Sequence, residues 1–214
     1  MPIFDLDDEP DFPPVHLAEP DGLLAIGGDL SQARLLSAYR SGIFPWYESS
    51  DILWWCPDPR FILFPKELNV SKSMRSLLNK NAFTFTIDGD FEQVINHCQT
   101  ITRTAQSGTW ITEAVKQAYT LLHTSGYAHS AEAWQNNELV GGLYGVRLGK
   151  VFFGESMFSR TSNASKYAFI KFVMQLQQEG IELIDCQVYT PHLESLGARM
   201  IARARFISLL NKYQ

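Results

Sequence analysis

Phe152-Phe153-Gly154-Glu155-Ser156-Met157-Phe158-Ser159 sets a carboxylate inside an apolar, aromatic, strand-like run. Successive side chains of a strand point to opposite faces. Phe153, Glu155 and Met157 are therefore expected on one face, and Phe152, Gly154, Ser156 and Phe158 on the other. One acid then stands between two large apolar walls. Leu183-Ile184-Asp185-Cys186-Gln187-Val188 repeats the pattern further along the chain, with Asp185 and Gln187 on a common face. Two polar-in-apolar strands point to one site, although the pattern alone equally admits half-exposed strand residues or structural ion pairs.

Working outward, the segments 128–135, 138–148 and 150–158 read as consecutive strands joined by Gln135-Asn136-Asn137 and Leu148-Gly149-Lys150, an antiparallel meander. A helix opens at Asn163-Ala164-Ser165-Lys166 with Ala168, Phe169, Phe172, Val173 and Leu176 at helical spacing, and closes at Gly180. The Asp185 strand follows, then a short helix at 191–196, a basic strand carrying Arg199, Arg203 and Arg205, and a last helix. Upstream, Ser71 caps a helix within 68–81, 82–88 is a strand, 90–98 a helix, and Thr112 caps a helix at 113–124 behind the polar loop of Ser107, Gly108 and Thr109. Asp29 or Ser31 starts a helix that stops at Gly42 and Pro45. Residues 1–21 hold five prolines and read as an extended leader lying over a domain.

At 214 residues with 45% hydrophobic and 13% aromatic content, the chain has material for one large or two modest cores. It has no apolar run approaching the roughly 18 residues of a membrane span and no signal-peptide pattern at its start, so a soluble, cytoplasmic protein is expected. Cys56, Cys98 and Cys186 are odd in number and lack metal-ligand spacing, so reduced thiols are expected and no metal site. A net charge of -5 argues against general nucleic-acid affinity and leaves room for a local basic patch. Lys72 and Arg75, three apart on one helix face, with Lys80 nearby, are the best candidate for it. Tryptophans gather at Trp46, Trp54, Trp55 and Trp110, either as an aromatic core or as flat faces for nucleobases.

Seven motifs in order carry a resemblance. They are the run from Gly22 to Ser31, Tyr39 with Gly42-Ile43-Phe44-Pro45-Trp46, Trp54-Trp55 with Pro57-Asp58-Pro59-Arg60, Gly108-Thr109-Trp110-Ile111-Thr112, the run from Gly154 to Ser159, Asn163 to Lys166, and Ile184 to Val188. Together, over about residues 20 to 200, they resemble the bacterial leucyl/phenylalanyl-tRNA–protein transferases. The resemblance implies an α+β protein: a small N-terminal domain over 1–62, including the leader, and a larger acetyltransferase-like (GNAT) domain over 63–214 with a mostly antiparallel sheet. It implies an aminoacyltransferase that moves Leu or Phe from aminoacyl-tRNA to proteins with N-terminal Lys or Arg, marking them for N-end-rule degradation. No cofactor is implied, because the aminoacyl ester is already activated, and a monomer is expected.

Within that reading, Asp185 holds and orients the attacking amine, Gln187 hydrogen-bonds the amine or the ester, and Glu155 faces the basic acceptor. Leu143, Phe152, Met157 and Ile170 are expected to wall an apolar cavity for the transferred side chain. Trp46 and Trp110 are expected to stack on the terminal adenosine, and Lys72, Arg75 and Lys80 to meet acceptor-stem phosphates. Ser76 and Asn79 thin that patch relative to the family, so tRNA binding is expected to be weak and strongly salt-sensitive. Leu143 replaces an expected methionine, and Ala202 an expected proline. A CoA-dependent N-acetyltransferase is the second reading; it needs a glycine-rich turn at a helix start, and Asn163-Ala164-Ser165 supplies none.

Overall fold

The computed structural model describes residues 3–48, 51–101 and 110–214; Ser107, Gly108 and Thr109, and Pro2 of the leader, lie outside the described residues. The elements run β1 (Phe4–Leu6), β2 (Leu23–Gly27), α1 (Gln32–Arg40), β3 (Phe44–Pro45), β4 (Leu53–Trp55), β5 (Arg60–Leu63), α2 (Lys72–Asn79), β6 (Thr84–Ile87), α3 (Phe91–Thr100) and α4 (Glu113–Thr124). They continue with β7 (Ala128–Gln135), β8 (Glu138–Leu148), β9 (Val151–Ser159), α5 (Ala164–Gln178), β10 (Leu183–Gln187), α6 (Pro191–Glu194), β11 (Arg199–Ile201) and α7 (Arg203–Tyr213). This is a mixed α+β architecture with two mixed sheets, ordered β1-β2-β4-β3 and β11-β5-β10-β9-β8-β7-β6. In the larger sheet β9 and β10 run parallel, and the other neighbours pair antiparallel.

Local chemistry explains most of these elements. Ser31, Ser71, Asp90 and Thr112 each accept the backbone N–H three residues on and cap α1, α2, α3 and α4. Ser31, rather than Asp29, is the cap of α1. Asn136 and Asn137, both at positive φ (52° and 63°), make the two-residue turn of the β7–β8 hairpin, a conformation asparagine tolerates better than most residues.

The larger sheet buries both faces. On one, Phe152, Leu143, Ile184 and Phe61 pack under α5 and α2; on the other, Phe153, Tyr144 and Ile62 pack with residues of α1, α3, α4, α7 and the small sheet. That second core runs without a break from Trp54 through Tyr39 and Tyr119 to Phe206. The domain division expected between residues 62 and 63 falls inside β5.

Three local expectations change. The leader is not only a cover, because β1 pairs in parallel with β2 as an edge strand; three residues among prolines leave too short an alternation to read. Arg203 and Arg205 belong to α7 and not to the basic strand, which ends at Ile201. The N–H of Arg203 donates to Asp58 Oδ1 at 3.0 Å, so an aspartate 145 positions away helps start this helix. The third change is a bulge in β9. Tyr144 pairs with Ser156 and Gly145 with Gly154, leaving Glu155 as the extra residue. Gly145 is required there, since a Cβ would sit 2.1 Å from the Phe153 carbonyl oxygen.

Candidate active site

The parallel ladder between β9 and β10 ends at the pair Asp185–Phe153. Past it, β9 bulges at Glu155 and β10 turns through Gln187, whose φ is +63°. A cleft of about 540 Å³ opens where the two strands part. Its polar floor is Glu155, Asp185 and Gln187, its apolar end includes Leu143, Met157, Phe169, Ile184 and Leu193, and Trp46 and Trp110 stand on its wall.

Glu155 is held on several sides. Tyr39 donates to its Oε1 at 2.8 Å, Gln187 Nε2 to the same oxygen at 2.9 Å, and Tyr119 to Oε2 at 3.1 Å. The two tyrosine hydroxyls also lie in contact, so their two hydrogens are shared among three contacts, two to Glu155 and one between the phenols. Burial pushes the Glu155 carboxyl up to about 7, against these hydrogen bonds, which favour the anion, and with help from the charge of Asp185. Burial likewise holds both phenols well above their ordinary value, so they remain donors.

Asp185 is fully buried and bound through both oxygens by Arg60, at 2.8 Å from Nε and 2.6 Å from Nη2. The Gln187 N–H adds a third bond to Asp185 Oδ1 at 2.9 Å. The Arg60 guanidinium lies between the Phe44 and Phe206 rings, 4.7 and 4.6 Å from their centroids.

The bulge corrects the expected faces. Met157 shares the α5 side with Phe152, while Phe158 shares the opposite side with Phe153, because one extra residue inverts every side chain after it. Two expected wall residues do not reach the cleft. Phe152 is covered by Phe172 of α5, ring centroids 5.0 Å apart, and Ile170 is wholly buried; Phe169, one residue earlier on α5, faces the cavity instead. Trp46 is half-buried and its ring lies 6.1 Å from that of Trp55. Trp110 is 8% exposed and packs edge-on against Tyr119, so only a small part of it faces the cleft.

Lys72 and Arg75 sit on α2 and Lys80 just after it, away from the cleft lining. Arg75 donates through Nε to the Val70 carbonyl at 3.0 Å. The three cysteines are buried thiols, and burial raises the Cys186 thiol far above its usual value, which leaves it a poor nucleophile.

Sequence reasoning passed over Arg60, Tyr39, Tyr119 and Phe169 as site residues. Arg60 carried a legible signal, a cation opening the apolar run Arg60-Phe61-Ile62-Leu63-Phe64.

The cleft between the parting strands thus joins apolar side chains to a carboxylate that burial pushes up to about 7. The family model described as leucyl/phenylalanyl-tRNA protein transferase matches residues 62–211, and that of its N-terminal domain matches residues 28–58. The chain is 57% identical to the leucyl/phenylalanyl-tRNA–protein transferase of Syntrophobacter fumaroxidans, over 98% of this chain and 90% of that one. It is 58% identical to that of Syntrophus aciditrophicus, over 99% and 89%. The chain belongs to the leucyl/phenylalanyl-tRNA–protein transferase family and is an enzyme of that class. Among solved structures it is similar to L-PGS from Bacillus licheniformis at TM-score 0.43 and 11% identity, over 78% of this chain and 54% of that one. No helix among the described residues is long and apolar enough to cross a membrane.

Proposed function

We propose that this enzyme transfers Leu or Phe from aminoacyl-tRNA to the α-amine of proteins that begin with Lys or Arg, marking them for N-end-rule degradation in the cytoplasm. It acts as a monomer, with residues 1–62 forming a small domain beside an acetyltransferase-like domain over 63–214. The observation that carries this reading is the contact between Gln187 and Glu155 at the head of an apolar recess.

The amine nitrogen attacks the ester carbonyl, a C–N bond forms, the C–O bond to the tRNA breaks, and the amine proton passes to the leaving oxygen. An ester already activated asks for positioning and management of one proton. With Nε2 given to Glu155, the Gln187 amide oxygen is the end left to receive the amine. Asp185 orients and does not abstract, because Arg60 occupies both its oxygens. Glu155 supplies the negative charge that a Lys or Arg side chain requires. Leu143, Met157, Phe169 and Leu193 offer the transferred side chain an unpolar recess, with the flexible Met157 suited to both branched and flat chains. The half-buried face of Trp46 suits the terminal adenosine, and Lys72, Arg75 and Lys80 the acceptor-stem phosphates.

Purified protein mixed with Phe-tRNA, Leu-tRNA or acetyl-CoA and with peptides beginning Arg, Lys or Met provides the test, read as peptide mass. Gain of Phe or Leu on the Arg and Lys peptides alone is the expected result. An acetyl adduct, or equal transfer to the Met peptide, overturns the reading.

A further inference from the structure

We propose that Arg60 is a positioning residue for the transfer step, acting through Asp185 on the turn that presents Gln187. The inference rests on the reading above, in which Gln187 receives the amine.

The arrangement is costly. Arg60 is fully buried, and a buried ion pair is weak evidence for stability, because desolvation consumes much of what the pair gains. Its Nη1 has no hydrogen-bond partner among the described residues, a further penalty. Burial acts to lower the Arg60 pKa, yet Asp185, joined by Cys56 and Glu155, turns the net shift upward, as a tightly held cation requires. Packing alone would be served by an apolar side chain between Phe44 and Phe206.

What the pair does is visible in its next contact. Asp185 Oδ1 takes the Gln187 N–H at 2.9 Å, and Gln187 holds a left-handed backbone that a non-glycine residue adopts only when its surroundings impose it. β10 changes register against β5 between Asp185 and Gln187, so Gln187 meets its partner Phe61 only across an irregular step in the ladder. The bonds therefore run in one line, from the Arg60 fork to the Asp185 carboxylate, to the Gln187 backbone, and through the Gln187 amide to Glu155. Without Arg60, Asp185 is an unpaired buried carboxylate, free to rotate or to take up a proton, and the turn loses its anchor. The two rings that bracket the guanidinium come from β3, whose Phe44 also lines the cleft, and from α7. Arg60 thereby ties the N-terminal sheet and the C-terminal helix to the geometry of one amide.

The test is a double-mutant cycle on single-turnover transfer from Phe-tRNA to a peptide beginning with Arg, using Arg60→Met, Asp185→Asn and the two combined. Displacement of a reacting group by an ångström costs roughly 100-fold. Arg60→Met is expected to slow the step by about that factor with the KM for Phe-tRNA unchanged. The combined variant, which buries no charge, is expected to be no slower than Arg60→Met alone. Arg60→Lys keeps the charge and loses the fork, and is expected to fall between Arg60→Met and wild type. Added methylguanidinium, filling the slot between Phe44 and Phe206, is expected to restore part of the rate of Arg60→Ala. Losses that multiply in the combined variant, or that appear wholly in KM, overturn the proposal. Should Arg60→Met fail to fold, Arg60→Lys and the combined variant decide the matter by the same criteria. Gln187→Ala separates the two levels: wild-type transfer by this variant sinks the reading of the site, whereas slowed transfer beside an additive cycle sinks the role of Arg60 alone.

Discussion

Two glutamates stand two strands apart in the larger sheet, Glu132 in β7 and the partly buried Glu155 in β9. Glu132 is wholly buried and takes its hydrogen bonds from its immediate surroundings: Ser130 on the same strand at 2.5 Å, Thr86 on the neighbouring strand at 2.6 Å, and the Gly89 N–H at 3.3 Å. Glu155 draws its donors from α1, α4 and β10 and opens onto a cleft. One carboxylate ties off a corner of the sheet. The other takes its donors from across the molecule and faces a cavity, as the role proposed for it requires.

The largest expected effect separates the two. Glu155→Ala should lower kcat/KM for a peptide beginning with Arg by an amount corresponding to about 2–5 kcal/mol, the range for truncating a buried charge partner, in a protein that still folds. Glu132→Ala should leave kcat/KM within about twofold and cost about 1–3 kcal/mol in denaturant unfolding, because three donors lose their acceptor. A folded Glu132→Ala protein with crippled transfer would erase the distinction.

The pattern that drew attention to Glu155, an acid inside an apolar strand, occurs equally in Ser130-Ala131-Glu132-Ala133-Trp134. Sequence flags both and cannot rank them, since the ranking depends on donors 36 and 116 positions away. The helices were legible because Ser71 and Thr112 are local caps, and the β7–β9 meander because its turns are local. The bulge at Glu155 was not, for nothing within Phe153-Gly154-Glu155-Ser156 says that one residue will go unpaired. That single insertion put Met157 on the wrong face in the sequence reading. The same kind of ambiguity on α5 selected Ile170 in place of Phe169, since both fit an apolar helix face. For Asp185 an ion pair was one open alternative, and its partner could not be named because Arg60 lies 125 positions away.

The pH dependence sharpens the contrast. Glu155 titrates near 7 and the acceptor needs its anion, so the KM for Arg and Lys peptides should rise as pH falls through about 7. In Glu155→Gln this rise should disappear. Tyr119→Phe removes a donor that favours the anion, so the acid limb should move to higher pH, by about one unit for a hydrogen bond to a charge. The sign for stability is opposite. A carboxyl raised from 4.5 to about 7 binds its proton more tightly in the folded protein. The resulting stabilisation is complete at low pH and is lost as pH rises through about 7. Glu155→Gln should therefore melt above wild type at pH 8 and close to it at pH 5, and melting curves at the two pH values check this. A variant that loses transfer while gaining stability at pH 8 would place Glu155 firmly apart from Glu132.

Charge on the surface provides the weakest and most separable effect. Lys72 is exposed on α2, outside the cleft lining, so in the proposed tRNA contact it would contribute counterion release and no part of the chemistry. Lys72→Gln should raise the Kd for tRNA severalfold at low salt and leave single-turnover transfer at saturating tRNA unchanged. It should also reduce the slope of log Kd against log salt by about 0.7 to 0.9, the value for one phosphate contact. An unchanged slope would remove Lys72 from the tRNA path. A fall in the saturated rate would mean instead that α2, which contacts α5, transmits its position to Phe169 in the apolar recess, so that the surface charge and the buried carboxylate would no longer be separable.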